Sequence, residues 1–210
     1  RGLIELSNIC RCRCTYCGIA AQLGGVRRYR LDEAQVLQSA ARALRLGYGT
    51  LVLQAGEDAG IEAQWLAGVL ERLRRETGLA ITLSLGTREV DELRLWREAG
   101  AHRYLARFET SDPEIYAALH PHAPDVGGRV KLLYALRRLG YQVGSGMLVG
   151  LPGQSYGSLA RDLWTLHRLG LHMVGLGPFL PHPDTPLGRG EGPAPLARGE
   201  QVEASAEQTC

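Results

Sequence analysis

Short apolar runs alternate with amphipathic stretches along most of the chain. Each apolar run is followed by polar or glycine-rich residues, which is typical of strands buried in a parallel sheet. The first run ends at a cysteine-rich loop, and the second ends at Gly56 and Glu57. On this pattern six strands are predicted, at residues 3–6, 50–54, 81–85, 104–108, 143–151 and 173–180.

The stretches between these runs carry helix signals. Asp32 is followed three residues later by Gln35, which predicts a helix N-terminus with a capping box. The apolar face of this helix is predicted at Val36, Leu37, Ala40 and Leu44. Glycine is a common residue at helix C-termini. Five helices are predicted to end at glycines, namely Gly47, Gly78, Gly100, Gly140 and Gly170.

The alternation of strands and helices predicts an α/β fold with right-handed crossovers and a parallel sheet. A TIM-type (β/α)8 barrel typically takes about 250 residues. We therefore expect residues 1–187 to form six β/α units, as a three-quarter barrel or as a barrel whose C-terminal units are missing. Residues 188–210 are predicted as a Pro/Gly-rich loop and the start of a truncated helix. Function is expected at the C-terminal ends of the strands.

Composition excludes several classes of protein. A net charge of +2, from 24 basic and 22 acidic side chains, does not favour a nucleic-acid or membrane partner. No apolar run approaches the length of a membrane span. Four of the five cysteines fall in one loop, three of them at motif spacing, which indicates metal binding in a reducing compartment rather than a disulfide framework. The sequence predicts a cytoplasmic protein.

The cysteine-rich loop is the main candidate for chemistry. Cys10, Cys14 and Cys17 have the spacing C-x3-C-x2-C, so that three thiolates can turn toward one centre. A [4Fe–4S] cluster normally takes four cysteines, and three would leave one iron open to a ligand. Two other interpretations stay open at this point: a zinc site with a distant fourth ligand, and cysteines that bind nothing. Cys12 breaks the spacing and is interpreted as a bystander.

With Tyr16 just before the last cysteine, this motif resembles that of the radical S-adenosylmethionine enzymes. The resemblance implies a [4Fe–4S] cluster on Cys10, Cys14 and Cys17, with S-adenosylmethionine chelating the open iron. Reductive cleavage of that cofactor gives a 5′-deoxyadenosyl radical in this family. Tyr16 would then lie near the adenine, and the structural alternative is an ordinary half-buried tyrosine.

The resemblance also implies a set of residues that bind S-adenosylmethionine. Glu57, after Gly56, would accept from the amino group of the methionyl moiety, because a carboxylate complements an ammonium donor. Glu109 would accept from the ribose hydroxyls or the amino group, and Arg129 would clamp the carboxylate. The structural alternatives are a helix-capping turn for Gly56 and Glu57, and salt bridges for Glu109 and Arg129. The further cofactor residues are expected at strand ends, namely Ser84 and Leu151.

Longer strings resemble the HydE family of [FeFe]-hydrogenase maturases, among them residues 52–58, 103–110, 173–179 and 181–186. This resemblance implies a cavity for a small, anionic iron-complex substrate lined by Arg103, Arg107 and Met173, although barrel-end salt bridges are the simpler role for the arginines. It also implies an electron donor such as a ferredoxin or flavodoxin, and contact with other hydrogenase maturases. Phe108 stands where histidine is usual in the family.

The same chemistry on an organic small molecule, as in methylornithine synthase or biotin synthase, is an alternative function. Another is a non-catalytic iron–sulfur or zinc-binding protein.

Overall fold

A computed structural model of the chain describes residues 1–123 and 125–191. Its strands are β1 (Gly2–Ser7), β2 (Thr50–Ala55), β3 (Ala80–Ser84), β4 (Arg103–Leu105), β5 (Gln142–Val149) and β6 (Met173–Pro178). Its helices are α1 (Glu33–Arg45), α2 (Ala63–Thr77), α3 (Val90–Glu98), α4 (Pro113–Leu119), α5 (Val126–Arg138) and α6 (Tyr156–Leu169). Most of the predicted tail at 188–210, including Cys210, lies outside the described residues.

The six strands form one sheet in the order β1-β2-β3-β4-β5-β6. Strand pairing is parallel between β1 and β2, β2 and β3, β3 and β4, and β5 and β6. Each connection between successive strands contains at least one helix, because a parallel neighbour can be reached only by a crossover. The predicted α/β class and the repeated β/α units are thus confirmed.

The chain divides into two compact units. The first unit contains residues 1–11, 26–106 and 134–143, and the second contains residues 12–25, 107–133 and the chain from 144 onward. In the first unit, Leu53, Leu70 and Trp96 are fully buried, and the indole N–H of Trp96 donates to the Ala63 carbonyl at 3.0 Å. In the second unit, Ile115, Leu119 and Leu151 form a buried cluster.

The predicted helix ends are confirmed, whereas the predicted apolar face of α1 is partly wrong. Asp32 and Gln35 form the expected capping box at the start of α1. All five glycines predicted to end helices adopt positive φ angles, which glycine tolerates without strain. The predicted apolar face of α1 is wrong in part, because Leu44 is 43% exposed and Ala43 is buried in its place. The buried stripe therefore runs through Val36, Ala40 and Ala43.

Two elements differ from the sequence prediction near the fourth and fifth strands. β4 ends at Leu105 rather than at residue 108, and Glu109 rejoins the sheet only as an isolated bridge to Met147, with φ of 65°. Helix α4 was not predicted, although Asp112 caps its first turn and Pro113 occupies the position at which proline is favoured. Within the described residues, no helix is long and apolar enough to cross a membrane.

Candidate active site

In the first unit, the loop after β2 packs against the start of the cysteine loop. The backbone amide of Glu57 donates to Sγ of Cys10 at 3.4 Å, and the backbone amide of Arg11 donates to the Glu57 carbonyl at 3.1 Å. Gly56 allows this approach, because a Cβ atom there would overlap the Ile9 carbonyl oxygen and the Cys10 Cβ. The predicted glycine–glutamate pair thus touches the first cysteine of the motif directly.

The carboxylate of Glu57 is held in place from two sides. Its Oε1 accepts from the Thr87 amide at 3.0 Å, and its Oε2 lies 3.5 Å from Nη2 of Arg11. Gly86, with φ of 71°, leaves the space that the Glu57 side chain occupies. Ser84 ends β3 two residues earlier and is partly buried. A fixed acceptor at the end of β2 suits an ammonium or hydroxyl donor.

In the second unit, Tyr16 is fixed by the C-terminal end of α4. Its hydroxyl lies 3.1 Å from Nε2 of His120, and the two rings meet edge to face. The backbone amide of Thr15 donates to the Leu119 carbonyl at 2.9 Å. Burial raises the pKa of Tyr16 well above its ordinary value, and negative charge on Glu109, Cys14 and Cys17 adds to the effect. The tyrosine therefore stays a neutral hydrogen-bonding group.

Glu109 is a second carboxylate, in the second unit. Its side chain is 12% exposed, and its Oε2 lies 3.2 Å from Nη2 of Arg107. Burial raises the pKa of Glu109, while the positive charges of Arg107 and Arg129 oppose that rise. Among the described residues, the buried Oε2 of Glu109 and Nε of Arg107 lack a hydrogen bond of good geometry. Such buried polar atoms can accept or donate to a bound ligand.

Leu151 lies in the glycine-rich loop that follows β5. Its side chain is buried against Ile115 and Leu119, with Tyr16 packed on the same cluster. One side-chain oxygen of Gln154 accepts from the amides of Gly150 at 2.7 Å and Leu151 at 3.2 Å. The loop predicted to contact adenine is therefore held by a buried amide rather than by its glycines alone.

The remaining predicted residues lie away from these loops in the chain. Arg129 is in α5, and its charge lowers the pKa of both Tyr16 and Glu109. Arg103 begins β4 and donates from Nε to the side chain of Gln142 at 2.7 Å. Met173 begins β6 and is partly exposed. Their roles toward a substrate remain predictions.

The cysteine loop supplies suitable donors for an iron–sulfur cluster. Cys10, Cys12, Cys14 and Cys17 are all partly buried thiols, and thiolates are the usual ligands of such clusters. In the described part of the chain, no three His, Cys, Asp or Glu side chains are grouped closely enough to hold a metal ion. The donor chemistry fits a cluster, and the assignment of Cys10, Cys14 and Cys17 as its ligands remains a prediction from spacing.

Several residues that hold these loops were not found from the sequence. His120, at the C-terminal end of α4, pairs with Tyr16. Asp162 is fully buried and accepts from the backbone and hydroxyl of Ser111. Asp58 is also buried and accepts from Ser7. Each is a polar residue within an amphipathic or loop segment, and only its position in the fold shows that it is buried.

Comparison with protein families finds a match over most of the chain. A family model described as Radical SAM superfamily matches residues 4–163. The chain is 41% identical over 187 residues to the [FeFe] hydrogenase maturase subunit HydE of Thermotoga maritima, covering 89% of this chain and 53% of that protein. It is 30% identical over 195 residues to biotin synthase of Pelobacter propionicus, covering 90% of this chain and 58% of that protein. The chain thus spans little more than half the length of these relatives.

Solved structures give the same fold. The structure of methylornithine synthase (PylB) superposes with a TM-score of 0.84 at 25% identity, covering 95% of this chain and 58% of that one. The structure of HydG, a maturase of the [FeFe]-hydrogenase, superposes with a TM-score of 0.75 at 21% identity, covering 86% of this chain and 42% of that one. At that lower identity the likeness concerns the fold alone.

Proposed function

The chain belongs to the Radical SAM superfamily, and we propose that it acts as a maturase of [FeFe]-hydrogenase of the HydE type. This superfamily uses a [4Fe–4S] cluster and S-adenosylmethionine. The observation that carries the proposal is the junction of Glu57 with Cys10, because it joins a candidate cluster ligand to a fixed carboxylate. The 41% identity to the Thermotoga maritima protein favours the maturase over other members of the superfamily.

Each side chain has a defined part in this proposal. Cys10, Cys14 and Cys17 would hold the cluster. When bound, the cluster would supply the electron for reductive cleavage of the sulfonium of S-adenosylmethionine. Glu57 would accept from the amino group of the methionyl moiety, since its carboxylate is already oriented by Thr87. The partly desolvated carboxylate of Glu109 would accept from a ribose hydroxyl or the amino group.

The other predicted residues have less direct support. Arg129 would clamp the carboxylate of S-adenosylmethionine, since a guanidinium can donate two parallel hydrogen bonds. Backbone groups at Leu151 would contact adenine, and Ser84 would border the cofactor. Arg103, Arg107 and Met173 would line the space for a small, anionic iron-complex substrate. An electron donor such as a ferredoxin or flavodoxin completes the proposed system, and other hydrogenase maturases would be partners.

Paired cysteine variants test the cluster assignment. After anaerobic reconstitution with iron and sulfide, Cys14→Ala should lose the brown cluster absorption and the formation of 5′-deoxyadenosine on reduction. Cys12→Ala is the matched control, because Cys12 lies in the same loop but off the motif, and it should retain both. Equal iron content and equal 5′-deoxyadenosine in the two variants would contradict the proposed ligand set.

A segment exchange tests the maturase assignment. The matching part of the Thermotoga maritima protein would be replaced by this chain, and the hybrid supplied to cells that make [FeFe]-hydrogenase but lack their own HydE. We expect hydrogenase activity to be restored. A hybrid that cleaves S-adenosylmethionine yet restores no hydrogenase would exclude the maturase assignment and leave the wider chemistry intact.

Radical chemistry on an organic substrate is the second candidate. It is favoured by the TM-score of 0.84 with methylornithine synthase and by the 30% identity to a biotin synthase. The matching exchange into biotin synthase, assayed by growth of a biotin auxotroph without biotin, distinguishes it. Growth there, without restored hydrogenase activity in the first assay, would favour this alternative.

A further inference from the structure

Asp58, directly after Glu57, is buried and accepts hydrogen bonds from three different segments. Its side chain is 2% exposed. Arg30 donates to it from two nitrogens, from Nε to Oδ2 at 2.9 Å and from Nη2 to Oδ1 at 2.7 Å. Ser7 donates from its hydroxyl to Oδ2 at 2.7 Å, and the Gly60 amide donates to Oδ1 at 2.9 Å. Both carboxylate oxygens are therefore fully engaged.

This carboxylate connects the loop of Glu57 to the loop of Cys10. The Ser7 hydroxyl that donates to Asp58 also accepts from the Ile9 amide at 3.0 Å, so it fixes the chain one residue before Cys10. The Gly56 amide donates to the Ser7 carbonyl at 3.3 Å, and the Asp58 amide closes a tight turn on the Gly56 carbonyl at 2.8 Å. Movement of Asp58 would therefore shift the loops on both sides of the junction between Glu57 and Cys10.

The position of the Arg30 guanidinium depends on the shape of the same loop. A Cβ atom at Gly60 would overlap the guanidinium of Arg30, so a side chain added there would displace the guanidinium from its present contact with Asp58. Arg30 also pairs with Ser7 as an isolated antiparallel bridge. Arg88 donates from Nη1 to the Asp58 carbonyl at 2.9 Å, which fixes the backbone as well as the side chain. The arrangement is charge-assisted and bidentate, the strongest class of protein hydrogen bond.

We propose that Asp58 is a positioning residue. Through Ser7 and Arg30, it keeps the Glu57 carboxylate and the Cys10 loop in the relative positions that bind the methionyl end of S-adenosylmethionine. This inference rests on the proposed function for the identity of the ligand. Asp58 makes no contact with the cofactor in this proposal, because all its acceptor positions are directed at the protein. Its effect reaches the cofactor through Glu57 and Cys10.

The test compares three variants. Asp58→Asn keeps the shape of the side chain but loses its charge, and Gly60→Ala displaces the Arg30 guanidinium without changing any charged residue. Asp91→Asn is the matched control, since Asp91 forms an ion pair with Arg94 on the exposed surface of α3. Affinity for S-adenosylmethionine is measured by calorimetry on reconstituted protein, and amide hydrogen exchange is measured on the chain before reconstitution.

We expect Asp58→Asn and Gly60→Ala each to weaken binding of S-adenosylmethionine by about tenfold, the effect of one charge-assisted hydrogen bond. The amides of Ile9 and Gly56 should exchange faster in both variants, while the amides of α3 exchange as in wild type. Asp91→Asn should change neither measurement.

The two readouts separate the inference from the proposed function. If Asp58→Asn lowers thermal stability but leaves both the affinity and the exchange of Ile9 and Gly56 unchanged, Asp58 is merely structural and the inference is wrong. If wild type binds no S-adenosylmethionine, the proposed function is wrong, and so is the proposed effect of Asp58 on cofactor affinity. Faster exchange in both variants would then still show that Asp58 orders these two loops.

Discussion

The hydroxyl group of Tyr16 lies 3.1 Å from Nε2 of His120. The other ring nitrogen, Nδ1, lies 3.0 Å from the carbonyl oxygen of Tyr116, which can only accept a hydrogen bond. Nδ1 of a neutral His120 therefore carries the proton, and Tyr16 donates to Nε2. This chain of two hydrogen bonds connects the cysteine loop to the end of α4.

A double-mutant cycle on Tyr16→Phe and His120→Ala should reveal this link. Each single change leaves a partly buried polar group without its partner, which costs about 1–3 kcal/mol of unfolding free energy. The two changes together should cost less than their sum, by about 0.5–1.5 kcal/mol. Unfolding in urea gives the four free energies. Tyr156→Phe, at an exposed position, is the control and should change stability little. Strict additivity would mean that the pair does not interact.

The buried carboxylate of Asp162 should make stability depend on pH. Burial raises its pKa above the ordinary value, although hydrogen bonds from Ser111, Thr110 and Gln154 oppose the rise. The folded state thus binds a proton at pH values at which the unfolded chain has already released it. By linkage, the unfolding free energy falls as pH rises from the ordinary pKa of aspartate, about 3.9, through the raised folded value.

Asp162→Asn removes this titration while keeping one acceptor oxygen for Ser111. The unfolding free energy of wild type minus that of the variant should therefore decrease as pH rises from about 4 into the range in which the folded carboxyl group titrates. Its slope cannot exceed about 1.4 kcal/mol per pH unit for one proton. The titration of Glu109 is common to both proteins and cancels in the difference. A difference that is flat over this range would show that Asp162 does not take up a proton on folding.

The fold followed from local signals in the sequence. Apolar runs predicted all six strands, because a strand covered on both faces needs nearly continuous apolar residues. The Asp32–Gln35 capping box and the glycines at helix ends depend only on neighbouring residues, and these predictions are confirmed. The exposed Leu44 and the unpredicted α4 show the limit, since the choice between adjacent faces depends on what packs against the helix.

The supporting contacts of the candidate site could not be predicted in the same way. Arg30 and Asp58 are 28 residues apart in sequence, and Tyr16 and His120 are 104 apart. No local pattern distinguishes these polar residues from solvated ones. The cysteine spacing and the Gly56–Glu57 pair were visible because their chemistry lies within a few consecutive residues. The sequence thus predicts candidate ligands of the cofactor, but it does not predict the residues that hold these candidates in place.

Gly56→Ala should disturb the junction of the two loops. Its new Cβ would overlap the Ile9 carbonyl oxygen and the Cys10 Cβ, and backbone cannot yield as a flexible side chain can. Overpacking of this kind costs about 1–3 kcal/mol. We expect a lower unfolding free energy together with less iron retained after reconstitution. Both follow from displacement of Cys10.

The control for this variant is Gly68→Ala. Gly68 is an exposed glycine inside α2, and an added Cβ there would meet nothing within 4 Å. Alanine in a helix interior is about 0.5–1 kcal/mol more favourable than glycine, so this variant should be more stable than wild type with unchanged iron content. If Gly56→Ala retained full stability and full iron content, the close packing of the two loops would be irrelevant to the cluster.

Glu57→Gln tests whether the charge of this carboxylate contributes to cofactor binding. Glutamine can still accept from the Thr87 amide but no longer complements a positively charged amino group. Hydrogen bonds to charged groups contribute about 1.5–3 kcal/mol, so binding of S-adenosylmethionine should weaken by about tenfold to a hundredfold. Calorimetry on reconstituted protein measures this change. Glu33→Gln is the matched control, because it breaks the exposed ion pair with Arg72, and it should leave affinity unchanged.

Arg11→Ala then separates the carboxylate of Glu57 from its ion pair. The Arg11 side chain is 64% exposed, and exposed ion pairs contribute only about 0–1 kcal/mol. Affinity for S-adenosylmethionine should therefore change by less than about fivefold in this variant, because Thr87 still orients the carboxylate. If Arg11→Ala weakened binding as much as Glu57→Gln, Arg11 rather than the Thr87 amide would be the group that positions Glu57. If neither variant weakened binding, Glu57 would not contact the amino group at all.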